Sequence, residues 1–332
     1  MEIREYRKAA SLKEAWELNQ KKNNRISGGM MWLRLSRRPA GTLIDLSGLG
    51  FDRIVETEDA FHIGAMVTLR QLEQHEGLLK YSSGSVKDAV CHIVGTQFRN
   101  MATIGGSVAG RFGFSDVLTW LMVMDCEVAL YKGAVSEKEK TDRKKKEEDG
   151  GVIFRVPIEK FAEDGPGRDI VIGVIIHKTP AVYCYQSVRM SSTDFPILTL
   201  AAARFLPEGK KEDKDDHGKA WRFAVGARPY RAVLVEDTEG LLKSAERKTK
   251  AKDKDGAAAL PEESILAFVD RLRKRARTGS NMRGSAVYRT HLAGVLAERA
   301  IRKLADEETG NETKEQVKGK TADNAGKEAP TC

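Results

Sequence analysis

Two short stretches decide how this chain is read: RISGGMMWL at Arg25–Leu33 and QFRNMATIGGSVA at Gln97–Ala109. Each carries a glycine pair, Gly28-Gly29 and Gly105-Gly106, set beside small or hydroxyl side chains such as Ser27, Thr103 and Ser107. Either pair alone reads as a tight turn. Together they point to a pyrophosphate, which needs several backbone N–H donors in a concave nest and a main chain able to approach closely. Other nucleotide signatures are missing. Gly48-Leu-Gly50 lacks the third glycine of a Rossmann fingerprint, no Walker lysine follows a glycine loop, and the 6 histidines show neither HExxH spacing nor a nucleophile elbow.

Working outward, 332 residues with 41% hydrophobic and 31% charged side chains are enough for two domains with solvated charged segments. The net charge of +8 is interleaved with acids, as in Lys138-Glu139-Lys140 and Lys252-Asp253-Lys254-Asp255, which makes a poor nucleic-acid track. The 4 cysteines, Cys91, Cys126, Cys184 and Cys332, form no CxxC pair, so no zinc or iron–sulfur site has local ligands. MEIREYRKAA lacks a signal-peptide core, and the richest apolar run, Val117–Tyr131, is broken by Asp125 and Glu127. A cytoplasmic protein without membrane contact is expected.

Ser11-Leu-Lys-Glu14 and Thr68-Leu-Arg-Gln71 read as capping boxes, the first opening the fold with a helix. Strands are expected at Arg25-Ile26, Thr42–Leu46, within Arg53–Ala65 and at Glu127–Tyr131, with helices at Ser85–Gly95 and Val117–Met124. From Val182 the pattern reads strand, helix and strand, with an apolar Phe195–Phe205, a strand-like Arg222–Gly226 and a helical Arg231–Leu242. Helices at Glu262–Arg277 and Gly284–Leu304 follow. The charged runs 136–151, 208–219 and 243–259 read as solvated loops, and 305–332 as a disordered tail.

At this point the chain resembles the FAD-binding (medium) subunits of molybdenum hydroxylases, the xanthine, carbon monoxide and nicotinate dehydrogenase type. The resemblance rests on the two glycine stretches together with LIDLSGL at Leu43–Leu49, HIGAMVTLRQLEQH at His62–His75, SDVLTWLMVMDCEVALY at Ser115–Tyr131 and SVRMSSTDFPILTLAAA at Ser187–Ala203. It implies an α+β, two-subdomain FAD-binding fold of the PCMH/vanillyl-alcohol-oxidase type over residues 1–178, then a small α+β C-terminal domain over 182–304. It also implies that Ile26, Ser27, Gly28, Gly29, Met30, Met31 and Trp32 wrap the pyrophosphate on one side. Thr103, Ile104, Gly105, Gly106 and Ser107 would approach it and the ribityl chain from the other.

By the same resemblance Asp116, after Ser115, bonds a sugar or ribityl hydroxyl, while its plain reading is the N-cap of the following helix. Asp169, Ile170 and Val171 would run beside the isoalloxazine, or form a core strand. Tyr185, Arg189 and Asp194 would lie near the flavin, or pack the second domain. Met30-Met31 replaces the usual Thr-Asp, Ser107 the usual Asn, and Arg111-Phe112-Gly113-Phe114 a Ser-Pro-rich link. The implied partners are an iron–sulfur subunit and a molybdopterin subunit, with NAD+ or another acceptor taking the electrons. The rival readings are a basic nucleic-acid-binding protein and a non-catalytic scaffold that has lost FAD.

Overall fold

The computed structural model describes residues 1–133, 146–148, 150–206, 220–242 and 260–324. It opens not on a helix but on strand β1 (Ile3–Lys8), which precedes helix α1 (Leu12–Asn19). β1 pairs in parallel with β3 (Ala40–Asp45), whose other side takes β2 (Arg25–Ser27). β1 carries no apolar alternation because every residue in it is exposed, and its charges Arg4, Glu5, Arg7 and Lys8 guard an edge strand against pairing with another chain. Ser11 caps α1 by accepting from the Glu14 N–H, but the Glu14 carboxylate reaches back to the Ala10 N–H, so the box closes one residue early.

A second, antiparallel sheet holds β4 (Ile54–Glu56), β5 (Ala60–Gly64), β6 (Cys126–Lys132), β7 (Lys146–Glu148), β8 (Gly151–Pro157) and β9 (Ile170–His177) in the order β4-β5-β9-β6-β8-β7. The charged run 136–151 therefore ends in a strand, Lys146–Glu148, paired with β8, where a loop was expected. Backbone pairing does not need an apolar face, which is why the sequence pattern missed it. The remaining residues of that run up to 145, like 207–219 and 243–259, lie outside the described residues.

Between β5 and β6 the chain forms α2 (Leu69–Gln74), α3 (Glu76–Tyr81), α4 (Ser85–Val90), α5 (Thr96–Arg99), α6 (Ile104–Gly110) and α7 (Asp116–Leu121). Between β8 and β9 it forms α8 (Ile158–Asp164). Thr68 and Gln71 make both bonds of the expected capping box at α2. Phe61, Ile63, Val174 and Ile176 of the sheet pack against Leu72, Val86, Val117 and Trp120 of these helices in the largest core. Arg99, which introduces the second glycine stretch, is buried and donates to Glu73 at 3.0 Å, tying α5 to α2.

Burial alone would raise the Glu73 carboxyl, but hydrogen bonds from Arg70 and Arg99 outweigh it and hold the group below its ordinary range. A depressed carboxyl contributes stability that is present above the unfolded value and is lost as pH falls through the folded one. Unfolding free energy should therefore drop below about pH 4. Glu73→Gln should flatten that acid limb in urea titrations; an unchanged limb would remove the pair from the account.

Beyond residue 180 a four-stranded antiparallel sheet follows in simple order: β10 (Ala181–Arg189), β11 (Pro196–Phe205), β12 (Trp221–Gly226) and β13 (Val233–Glu236). No helix lies between these strands among the described residues. Two expectations are corrected here. The apolar run Phe195–Phe205 is almost wholly strand β11, and the predicted helix Arg231–Leu242 contains β13. β11 is buried along nearly its whole length because both faces are covered, which erases the two-residue alternation of a strand. Ala201 and Ala203 face the first core, whereas Leu200 and Ala202 face α9 (Glu262–Ala276) and α10 (Ala286–Asn324).

Of the stretch expected to be a disordered tail, α10 runs on to Asn324, on a chain rich in Glu and Lys, both good helix formers, and residues 325–332 lie outside the described residues. Among the side chains described, Leu304 is the last buried one, Ala305 is partly buried and Asp306 is exposed. Deletion of Asp306–Cys332 is expected to leave the melting temperature and flavin content unchanged. A drop of several degrees would reveal packing by this segment.

Candidate functional site

A cleft of about 710 Å³ is lined by the turn after β2 and the start of α6. That volume suits a cofactor-sized ligand. The first glycine pair forms the turn. Gly29 has φ +77°, and a Cβ there would lie 1.7 Å from the Met101 carbonyl oxygen, so only glycine fits. Met30 follows with φ 64°, an unusual left-handed conformation for a side-chain-bearing residue. The turn leaves a run of donors: the N–H groups from Gly28 to Trp32 make no hydrogen bond among the described residues.

The second pair is not a loop. Gly105 and Gly106 sit in the first turn of α6, capped by Thr103, whose hydroxyl accepts from the Gly106 N–H at 3.1 Å. The Ile104, Gly105 and Ser107 N–H groups donate to the carbonyls of Val67, Ala65 and Thr103. This segment therefore contributes closeness rather than donors. A Cβ on Gly28 would meet the Gly106 Cα at 2.9 Å, and one on Gly106 would meet the Gly28 carbonyl at 2.9 Å. The two pairs pack backbone to backbone because neither carries a side chain.

Of the residues singled out in the sequence, Ile26, Ser27, Gly28, Met30, Met31 and Trp32 line the cleft from one side. Thr103, Gly105, Gly106 and Ser107 line it from the other, with Asp169 and Val171 also in its wall. Gly29, Ile104 and Ile170 lie outside the lining: Gly29 is pressed against Met101, while Ile104 and Ile170 are fully buried in two different cores. Asp169 accepts from the Trp16 indole N–H at 3.1 Å, which fixes the wall to α1.

Ser115, Asp116 and Tyr185 come together away from this cleft. Ser115 caps α7 by accepting from the Leu118 N–H. The buried Asp116 carboxylate accepts from the Tyr185 hydroxyl at 2.6 Å and from Arg189, joining α7 to β10. Burial pushes the Asp116 carboxyl up, against the opposing pull of Arg189 and Tyr185, and pushes the Tyr185 hydroxyl well above its usual range. Asp116, Arg189 and Asp194 border a separate cavity of about 60 Å³. Trp32 and Phe114 line both spaces, and the Trp32 ring lies 5.3, 5.6 and 5.3 Å from those of Phe98, Phe114 and Phe195.

Sequence reasoning missed Asn19, Asn24, Arg25, Arg168, Phe112 and Phe114, all in the cleft wall. Only the last two carried a signal, as the aromatic replacement of a small link. No cluster of three or more His, Cys, Asp or Glu able to hold a metal exists among the described residues. No helix among them is long and apolar enough to cross a membrane.

A cleft with free donors on a glycine turn, closed from behind by a glycine-bearing helix start, suits a dinucleotide-type cofactor. The chain matches, over residues 1–142, the family described as the FAD binding domain in molybdopterin dehydrogenase. It is 26% identical over 305 residues to the nicotine 6-hydroxylase medium subunit of Paenarthrobacter nicotinovorans, covering 89% of this chain and 95% of that one. The fold is that of a chain of quinoline 2-oxidoreductase from Pseudomonas putida 86, with a TM-score of 0.69 at 18% identity over 92% of this chain and 98% of that one. It is likewise that of a chain of carbon monoxide dehydrogenase from Hydrogenophaga pseudoflava, with a TM-score of 0.67 at 20% identity, covering 91% and 96%.

The residues present fit FAD. The unbonded N–H groups of Gly28 to Trp32 suit an anionic pyrophosphate. The loss of the Thr-Asp side chains at Met30-Met31 leaves that backbone set intact.

Proposed function

We propose that this chain is the electron-transfer subunit of a multi-subunit hydroxylase, taking electrons from an iron–sulfur subunit and delivering them to NAD+ or another acceptor, while a molybdopterin subunit hydroxylates the substrate. The observation that carries the reading is the cleft in which Gly28 and Gly106 meet, beside a turn of free backbone donors. Bound FAD supplies the chemistry of accepting electrons singly and releasing them in pairs. The chain's own residues bind and orient it: Gly28 to Trp32 hold the pyrophosphate, Thr103 fixes the start of α6, and Val171 and Trp32 exclude water from the walls.

In this reading residues 1–178 hold the flavin and residues 182–304 form the second domain, locked to the first through Asp116 and Arg189. The buried thiols Cys126 and Cys184 suit a reducing cytoplasm.

The purified chain should carry FAD, oxidise NADH with an artificial acceptor, and hydroxylate neither heterocycles nor aldehydes. Hydroxylation by the single chain, or stoichiometric iron or molybdenum in it, would move the chemistry to the wrong side of the assembly and overturn the reading.

A further inference from the structure

Just outside the cleft, Arg111, Arg228, Arg231 and Arg277 gather where α6, α8, the turn after β12 and the end of α9 meet. The guanidinium groups of Arg111, Arg228 and Arg231 are held by carbonyls rather than carboxylates, and Arg277 contributes its own carbonyl as an acceptor. Arg111 and Arg231 each donate through Nη1 to the same acceptor, the Glu163 carbonyl, both at 2.9 Å. Arg228 donates to the carbonyls of Arg231, Ala276 and Arg277 at 2.7, 2.8 and 2.9 Å. None of the four pairs with a carboxylate among the described residues.

Carbonyls at the ends of α8 and α9 attract cations, which explains the bonds that Arg111, Arg228 and Arg231 make to them. It does not explain the surplus. A guanidinium carries five N–H donors, and Arg111 and Arg231 use only Nη1, leaving the rest without a protein acceptor among the described residues. Two like charges on one acceptor repel, and burial together with the Arg231 charge lowers Arg111 below its ordinary range, against the pull of Asp164.

The backbone here is also strained: Arg111, Ala227 and Arg277 have φ of 44°, 53° and 40°, a left-handed conformation that side-chain-bearing residues seldom take. Such strain collects at binding sites. The location fits as well, because Gly110 and Phe112 on either side of Arg111 line the cleft, as does Pro166. Pro166 follows Gly165, against which the Arg111 guanidinium packs.

We propose that Arg111 and Arg231, flanked by Arg228 and Arg277, form a subsite at the cleft mouth for the phosphoryl group of a small diffusible anion that meets the cofactor there. The planar forks of two arginines match phosphoryl oxygens in geometry as well as in charge. The inference rests on the flavoprotein reading and deepens it by giving the acceptor a chemical class.

The test titrates the FAD-loaded full chain with ADP-ribose, inorganic phosphate and adenosine by calorimetry. ADP-ribose should bind and adenosine should not. Arg231→Gln should weaken ADP-ribose binding about 10-fold or more, Arg231→Lys less, and the exposed Arg299→Gln on α10 not at all. Inorganic phosphate binding as tightly as ADP-ribose, with the same loss in Arg231→Gln, would assign the free anion as ligand; much weaker phosphate binding assigns a nucleotide. Absence of binding, or equal weakening by Arg299→Gln, in protein with normal flavin content overturns the subsite. A wild-type chain that holds no flavin overturns the reading beneath it instead.

Discussion

The Gly106→Val chain is expected to purify folded and colourless. A Cβ at this position would stand 2.9 Å from the Gly28 carbonyl and 3.2 Å from the Thr103 hydroxyl, and valine adds two methyl groups beyond it. The helix itself tolerates the change, because Gly106 lies within α6 and has no positive φ. What yields is the facing turn. Displacing Gly28 spreads the donors from Gly28 to Trp32 and fills the narrowest part of the cleft. FAD affinity should fall by about 100-fold or more, roughly 3 kcal/mol. Bound flavin and circular dichroism, measured on the same sample, check both halves, and normal flavin occupancy would exclude this turn of α6 as a cofactor contact.

Asp116→Ala should give the largest loss of stability. The carboxylate is buried, and its partner Arg189 is only 7% exposed, so truncation strands a cation and a tyrosine hydroxyl between α7 and β10. Removing one member of such a pair costs about 3–5 kcal/mol, a large share of the roughly 5–15 kcal/mol that holds a typical domain folded. Asp116→Ala/Arg189→Met should recover much of that loss, since it removes the orphaned charge with its partner. Urea unfolding of the three chains decides the matter. Equal losses in the single and double variants would mean that the interface, not the charge, sets the cost.

The glycine turn was legible because its requirement is written in the backbone: no side-chain residue could follow Gly28 at φ +77° against Met101. The capping box at Thr68 was legible for a similar local reason. The elements missed are those whose cause lies elsewhere in the chain. β1 owes its form to pairing with β3, β7 to pairing with β8, and β11 to cover on both faces. Asp116 illustrates the limit within the site. Its place before an apolar helix was visible, but the Arg189 partner lies 73 residues on and appears only when β10 packs on α7. Phe112 and Phe114 announced themselves only as a departure, and their position in the cleft wall depended on the fold.

The most direct test of the account is the flavin content of the purified chain, by absorption and by chromatography of the cofactor released on denaturation, before and after incubation of the apoprotein with FAD. The account predicts FAD at a ratio approaching one per chain, lost in Gly106→Val and not restored there by added cofactor. A wild-type chain that stays colourless and takes up no FAD on reconstitution would contradict it.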